Sequence, residues 1–436
     1  MAWLRRTSDE QREIRRNSML GLVNGVGFTL GEALSDANLV LTLFIRELGA
    51  SAMLVGLLPS LKSGGWLLPQ LVMAGKLQSW RYKLPAYRRA GLVRFILWSL
   101  LTGLVWISPR IGAGWTLTGV LTLYALYNLA GGTGGLAFQE VVAKTIPPRR
   151  RGNYFGRRNL LGGLAAFFIA GPIVTWALDS GGGGPGFPAN YGLLLAATLI
   201  CIGPALVAFM IVREPPTESP LPAVGALGMF AALPRILRQN QTFRRFIVAR
   251  MLTRLGSLAD PFYIIYAREV LLVPAQLIGG YLALRTLSAA LSNLYWARVV
   301  DRQGNRRLMV LTGILIVCVP LWALLSPAAG LVGGATATGW AFGGVFLLFG
   351  LSVDGSGTAG LTYVMETAPE AERTAYMGIA NTTLGLATFF PVLGGLLVQR
   401  LGYVPVFALT ALFAALGLAL SWRLPEPRLQ APAESI

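Results

Sequence analysis

Apolar stretches of about twenty residues, each closed by a charged or Gly/Pro-rich turn, follow one another along nearly the whole 436-residue chain. An α-helix rises 1.5 Å per residue, so crossing ~30 Å of hydrocarbon takes about 20 apolar residues. Read this way, the first half predicts spans near 19–44, 52–74, 89–108, 115–138, 159–179 and 190–212. The second half predicts 243–266, 275–296, 308–326, 336–362, 376–398 and 402–422. The span from 243 is the most polar at its start, where Arg244, Arg245, Arg250 and Arg254 fall. The expected class is an all-α polytopic membrane protein of twelve helices in two six-helix bundles. Their boundary is a proline-marked stretch (Pro215, Pro216, Pro220, Pro222), which divides the chain into 1–212, a linker 213–241, and 242–436 with its tail. Within the linker, residues 223–238 read equally well as a surface amphipathic helix or a mobile segment.

The turns alternate in charge. Lys76, Arg81, Lys83, Arg88 and Arg89 crowd one turn, and the next carries only Arg110. Lys144, Arg149, Arg150, Arg151, Arg157 and Arg158 crowd another, while 180–190 has no basic residue. By the positive-inside rule the basic turns and both termini are expected in the cytoplasm, and the chain in the inner membrane. The polar segment before residue 18 lacks a short secretory cleavage pattern and is expected to be retained. A formal charge of +18 distributed in this way points to anionic lipid headgroups, not nucleic acid.

Composition narrows the chemistry. With 54% hydrophobic and 13% charged residues and a mean hydropathy of +0.59, disordered chains, disulfide scaffolds and most soluble enzymes of this size are excluded. Cys201 and Cys318 lie in apolar runs and read as small hydrophobes. The absence of histidine removes the commonest zinc ligand, Ser/His/Asp nucleophiles and the usual pH switch. No catalytic set, metal site or cofactor is expected, and the lack of a Gly-x-x-x-x-Gly-Lys-Ser/Thr loop disfavours an ATP motor.

An offset of 222 residues exposes an internal repeat: Pro147, Arg151, Tyr154, Gly156 and Asn159 fall on Pro369, Arg373, Tyr376, Gly378 and Asn381. The same shift lays Gly75-Lys76-Leu77 on Ala297-Arg298-Val299. Inverted or parallel six-helix repeats are a feature of secondary transporters.

Ala297-Arg-Val-Val-Asp-Arg-Gln-Gly-Asn-Arg-Arg307 resembles the loop signature of the major facilitator superfamily, Gly-x-Leu-x-Asp-Arg-x-Gly-x-Arg-Arg. Ala297 and Val299 are substitutions; Asp301, Arg302, Gly304, Arg306 and Arg307 are retained. The resemblance implies a major facilitator fold working by alternating access. It also implies a cytoplasmic gate at Asp301, Arg302, Gly304 and Arg306, with Arg151, Tyr154 and the repeat-related Arg373 as its counterparts. A plain solubilising loop is the competing reading. The first-half copy has Ser79 where the aspartate belongs, so symmetrical locks are not expected. Phe390-Pro391-Val392-Leu393-Gly394-Gly395 and Ala170-Gly171-Pro172 resemble parts of the proline/glycine motif of family exporters, tilting the expectation modestly towards export. The fourth span lacks the central arginine of proton-coupled exporters.

Charged groups inside spans are costly and mark sites. Glu32 and Asp36 share a helix face and, with Asp260 and Asp354, are the candidates for proton coupling. Lys62, Asn128, Arg254, Arg285 and Asn293 are candidates for the solute cavity, and Arg250 shares a face with Arg254. The expected activity is proton-coupled movement of a small organic solute. An uptake porter for an anionic or lipid-like nutrient and a non-transporting receptor remain as alternatives.

Overall fold

A computed structural model describes residues 2–77, 79–179, 183–217, 233–368 and 373–427. Among them all regular structure is helical: α1 (Ala2–Leu34), α2 (Val40–Glu47), α3 (Ala52–Leu77), α4 (Leu84–Ile111), α5 (Ala113–Thr145), α6 (Pro148–Ala165), α7 (Gly171–Leu178) and α8 (Ala189–Met210). The chain continues through α9 (Leu233–Gln239), α10 (Gln241–Leu255), α11 (Phe262–Glu269), α12 (Gln276–Gln303), α13 (Asn305–Leu325), α14 (Gly330–Thr367), α15 (Arg373–Ala387), α16 (Phe390–Leu401) and α17 (Tyr403–Trp422). Every expected span falls on one helix or on a pair parted by a short break. Among the described residues six helical stretches, the longest Asn305–Thr367, are long and apolar enough to cross a bilayer. Residues 223–232 of the expected linker helix lie outside the described residues, and α9 begins beyond them.

The broken helices have local causes. Pro261 precedes α11 and has no N–H to continue the helix from α10. In the first repeat Ser35 Oγ takes the Gly31 carbonyl at 2.9 Å where α1 ends. Between α6 and α7 the chain widens into a π turn, Ala166–Ala170, directly before Gly171-Pro172. A π turn is a recognised way to relieve a helix of a proline's missing bond.

The 222-residue offset is visible in the helix ends. It carries Val40–Glu47 onto Phe262–Glu269, and the last residues of α5 and α6, Thr145 and Ala165, onto Thr367 and Ala387, the last of α14 and α15. One packing pair repeats as well. Tyr154 lies against Gly21 of α1, and the equivalent Tyr376 ring lies 4.6 Å from that of Phe243 on α10.

Two compact units result: Met1–Asp36 with Gly65–Gly225, and Ala37–Gly64 with Ala226–Ile436. In the first, α1 packs on α6 and α8, and α4 on α5. In the second, α10 packs on α17, and α14 on α12 and α13. The second unit also takes in α2 and the first residues of α3. There Arg46 makes a two-point ion pair with Glu269 (2.5 and 3.2 Å), whose carboxylate also accepts the Tyr403 hydroxyl at 2.9 Å.

Each unit closes one basic turn with a glutamate from its own C-terminal segment. Glu214 accepts the backbone N–H groups of Lys83 and Leu84, at 2.8 and 2.7 Å, where α4 begins, and binds Lys144 Nζ at 2.6 Å. Glu426 accepts the Arg306 N–H at 3.0 Å where α13 begins. Both carboxylates satisfy orphan donors at the positive end of a helix. Nearby, the buried Lys83 ammonium caps the Leu77 and Trp80 carbonyls, and burial followed by Lys144 holds its pKa below the usual lysine range. Losing a charged cap costs about 0.5–2 kcal/mol. Glu214→Gln and Glu426→Gln are therefore each expected to lower thermal stability in detergent, and a melting curve superimposable on the parent's would deny the caps that role.

Candidate functional site

The polar start of α10 is explained by where its side chains go. Arg250 and Arg254, four residues apart, share one face. Arg250 is only 4% exposed, and its Nη1 donates to Ser356 Oγ of α14 at 2.9 Å. The Nε atoms of both arginines are buried without a hydrogen-bond partner. A guanidinium has five donors in a fixed fork, so two such groups leave directed donors for an oxygen-bearing ligand.

These groups line a cavity of about 110 Å³ inside the second unit, walled by Thr253, Ser257, Ser352 and Ser356 together with Ile316, Val319 and Phe349. Among the described residues its one carboxylate is Asp260, from the break between α10 and α11, against the two guanidinium groups. Arg285 on α12 lies 4.9 Å over the Phe349 ring, and its charge, like that of Arg254, acts on Asp260. Three residues singled out in the sequence, Arg254, Asp260 and Arg285, thus gather in one place. The serines escaped notice because Ser352 and Ser356 read as ordinary small residues of an apolar helix. Their four-residue spacing facing an arginine pair four residues apart was the available signal.

The remaining candidates lie elsewhere. Asn293 on α12 donates to Asp354 on α14 at 2.8 Å, forming a separate polar pair of the second unit. Lys62 is half-buried on α3. In the first unit Glu32 is exposed and Asp36 is buried, while Asn128 returns its amide to the Tyr124 carbonyl at 2.8 Å. Arg94 on α4 is buried between the Phe28 and Tyr127 rings, 4.7 and 4.4 Å from their centres, and donates to Tyr127 Oη at 2.7 Å.

Of the gate candidates, Arg151 bonds the Ile146 carbonyl at 2.9 Å and that of Ala143, and Tyr154 is buried. Asp301 and Arg302 are exposed at the end of α12. Gly304 turns the chain into α13 at φ +84°, where a side chain would be strained and would meet the Glu426 carboxylate at 2.5 Å. Arg306 follows it in the first turn of α13. Arg373 opens α15, and its side chain lies outside the described residues.

Residues 246–435 match the family model for the Major Facilitator Superfamily. Uncharacterized proteins of Mycobacterium tuberculosis and Mycobacterium bovis are 25% identical over 356 residues, covering 78% of this chain and 65% of their own length. The chain thus spans about two thirds of these relatives. A D-xylose-proton symporter superimposes with a TM-score of 0.71 at 14% identity, covering 96% of this chain and all of its own. A nucleoside transporter gives 0.64 at 13% identity (94% and 99% covered), and a bacterial homologue of the iron transporter ferroportin, inward-facing, gives 0.62 at 14% (94% and 98%).

Proposed function

We propose that this chain, whose residues 246–435 match the major facilitator superfamily model, is a member of that family and a secondary transporter that carries a small organic anion by alternating access, coupled to protons. The observation that supports this reading is the Arg250–Arg254 pair, whose unpaired buried N–H groups meet a cavity with two lining cations and one anion. A carboxylate completes such a fork with charge-assisted bonds. Asp260 then supplies the coupling. An anion arriving beside an ionised Asp260 meets like charge, and taking up a proton there relieves it, so anion and proton bind best together. Co-binding moves both in one direction, which favours proton-driven uptake of an anion over the export suggested by the Gly171-Pro172 fragment. The basic turns and both termini face the cytoplasm in this reading, held by anionic headgroups.

The test is flux into proteoliposomes with an alkaline interior, using a panel of radiolabelled short carboxylic acids. Asp260→Asn is expected to keep solute exchange but lose accumulation above the outside concentration, while Asp36→Asn keeps both. Uphill accumulation unchanged in D260N and lost in D36N would move the coupling to α1. Saturable binding with no flux in any protein would leave a receptor.

A further inference from the structure

A second basic feature lies in the first unit, away from the arginine cavity. The start of α1 and the start of α6 form a groove of about 650 Å³ whose walls include Arg12, Arg15, Arg150, Arg157, Asn153 and Tyr154. Among the described residues no carboxylate lines it. Glu13, the nearby acid of α1, is directed to Arg213 at 3.9 Å. Among the described residues, Arg15, Arg150 and Arg157 thus line one groove that no carboxylate lines. At its inner wall Tyr154 is 5% exposed, and its hydroxyl is buried with no hydrogen-bond partner.

The groove's depth relative to a bilayer follows from the sequence. Arg15 and Arg12 precede the apolar span starting at residue 19 by about one and two helical turns, roughly 6 and 10 Å along the axis. Arg157 stands just before the span starting at 159. The headgroup layer adds roughly 5–8 Å on each side of the hydrocarbon, so the arginines nearest the spans lie at phosphate level and the outer ones just above it. Basic pockets between membrane helices at this depth suit anionic headgroups, since each guanidinium near the surface contributes and the apolar floor (Ile14, Leu22, Ile146) continues towards the acyl layer.

We propose that the groove between α1 and α6 is a specific site for one anionic phospholipid headgroup, with Arg15 and Arg157 holding the phosphate and Tyr154 on its inner wall. The site stands on the chain being a membrane protein and is independent of the solute it carries.

The experiment is native mass spectrometry of the full chain in detergent, titrated with phosphatidylglycerol or phosphatidylcholine. The parent is expected to take up one phosphatidylglycerol saturably and in preference to phosphatidylcholine. The double variant Arg15→Gln/Arg157→Gln should lose that preference by roughly 30-fold, from the usual contribution of two surface cations. Arg89→Gln/Arg298→Gln, which removes equal charge from other basic turns, should leave it intact. Equal loss in both double variants would mean diffuse attraction by net charge and overturn the site. Displacement of the lipid by millimolar glycerol 3-phosphate would overturn it in favour of a soluble phosphate compound.

Discussion

Arg250→Gln is expected to abolish saturable anion binding while leaving the empty protein as stable as the parent or more so. Arg250 is almost wholly buried, makes one hydrogen bond to Ser356, and leaves Nε unpaired beside Arg254. In the empty site the guanidinium therefore carries a desolvation penalty and a like charge one helical turn away. Replacing a buried charge with a neutral group of similar reach relieves both, and such replacements are often neutral or stabilising. With an anion present the balance inverts. Removing one partner of a desolvated, hydrogen-bonded charge pair costs about 2–5 kcal/mol, or roughly 30- to 5,000-fold in Kd. Opposite signs for stability and affinity are the mark of a site kept for function. Melting curves of parent and R250Q with and without the best acid from the flux panel read both quantities at once. A melting temperature that falls in the empty variant, with ligand stabilisation unchanged, would make Arg250 a structural tie between α10 and α14.

Much of this was legible along the chain because it is local. A run of twenty apolar residues specifies a helix without reference to anything distant, so every expected span falls on helix, and six helical stretches of the described residues are long and apolar enough to cross a bilayer. The repeat was legible for the same reason, through prolines and polar residues in turns, and the helix ends follow it at α2 and α11. It also sets Glu32 and Arg254 at equivalent positions on the first helices of the two repeats, opposite in charge. Contacts between distant residues were not legible. Glu214 and Glu426 look like ordinary polar residues after the last helix of each half; only folding brings them to N–H groups more than a hundred residues away. The Arg46–Glu269 pair spans 223 positions, and no periodicity encodes it. Nor can a helical pattern decide which of several acids in spans meets an arginine, and so Asp260 and Asp36 looked alike before packing separated them.

Gly395→Val is expected to open the contact between α3 and α16 and uncouple transport. Small residues let helices approach closely, and Gly394-Gly395 is such a place. A Cβ on Gly395 would stand 2.3 Å from the Ala52 carbonyl oxygen, and one on Gly56 would stand 2.1 Å from that of Pro391. Backbone meets backbone here, so no side chain can swing aside, and forcing in extra volume costs about 1–3 kcal/mol. Under the alternating access proposed above, this penalty falls on the state described here alone, provided the opposite state parts residues 52–64 from α16. An equilibrium between two states then shifts by the full amount, up to roughly 150-fold, without unfolding either. Ser60, one turn beyond Gly56, is fully buried and provides the reporter. With Cys201 and Cys318 replaced by serine, Ser60→Cys should resist a membrane-impermeant thiol reagent in the parent and react in G395V, while proton-driven accumulation falls about fivefold or more. Gly103→Val, where a Cβ would meet nothing within 4 Å, controls for added bulk in a helix. A thiol at position 60 that stays protected in G395V, together with undiminished flux, would show that this contact persists through the transport cycle.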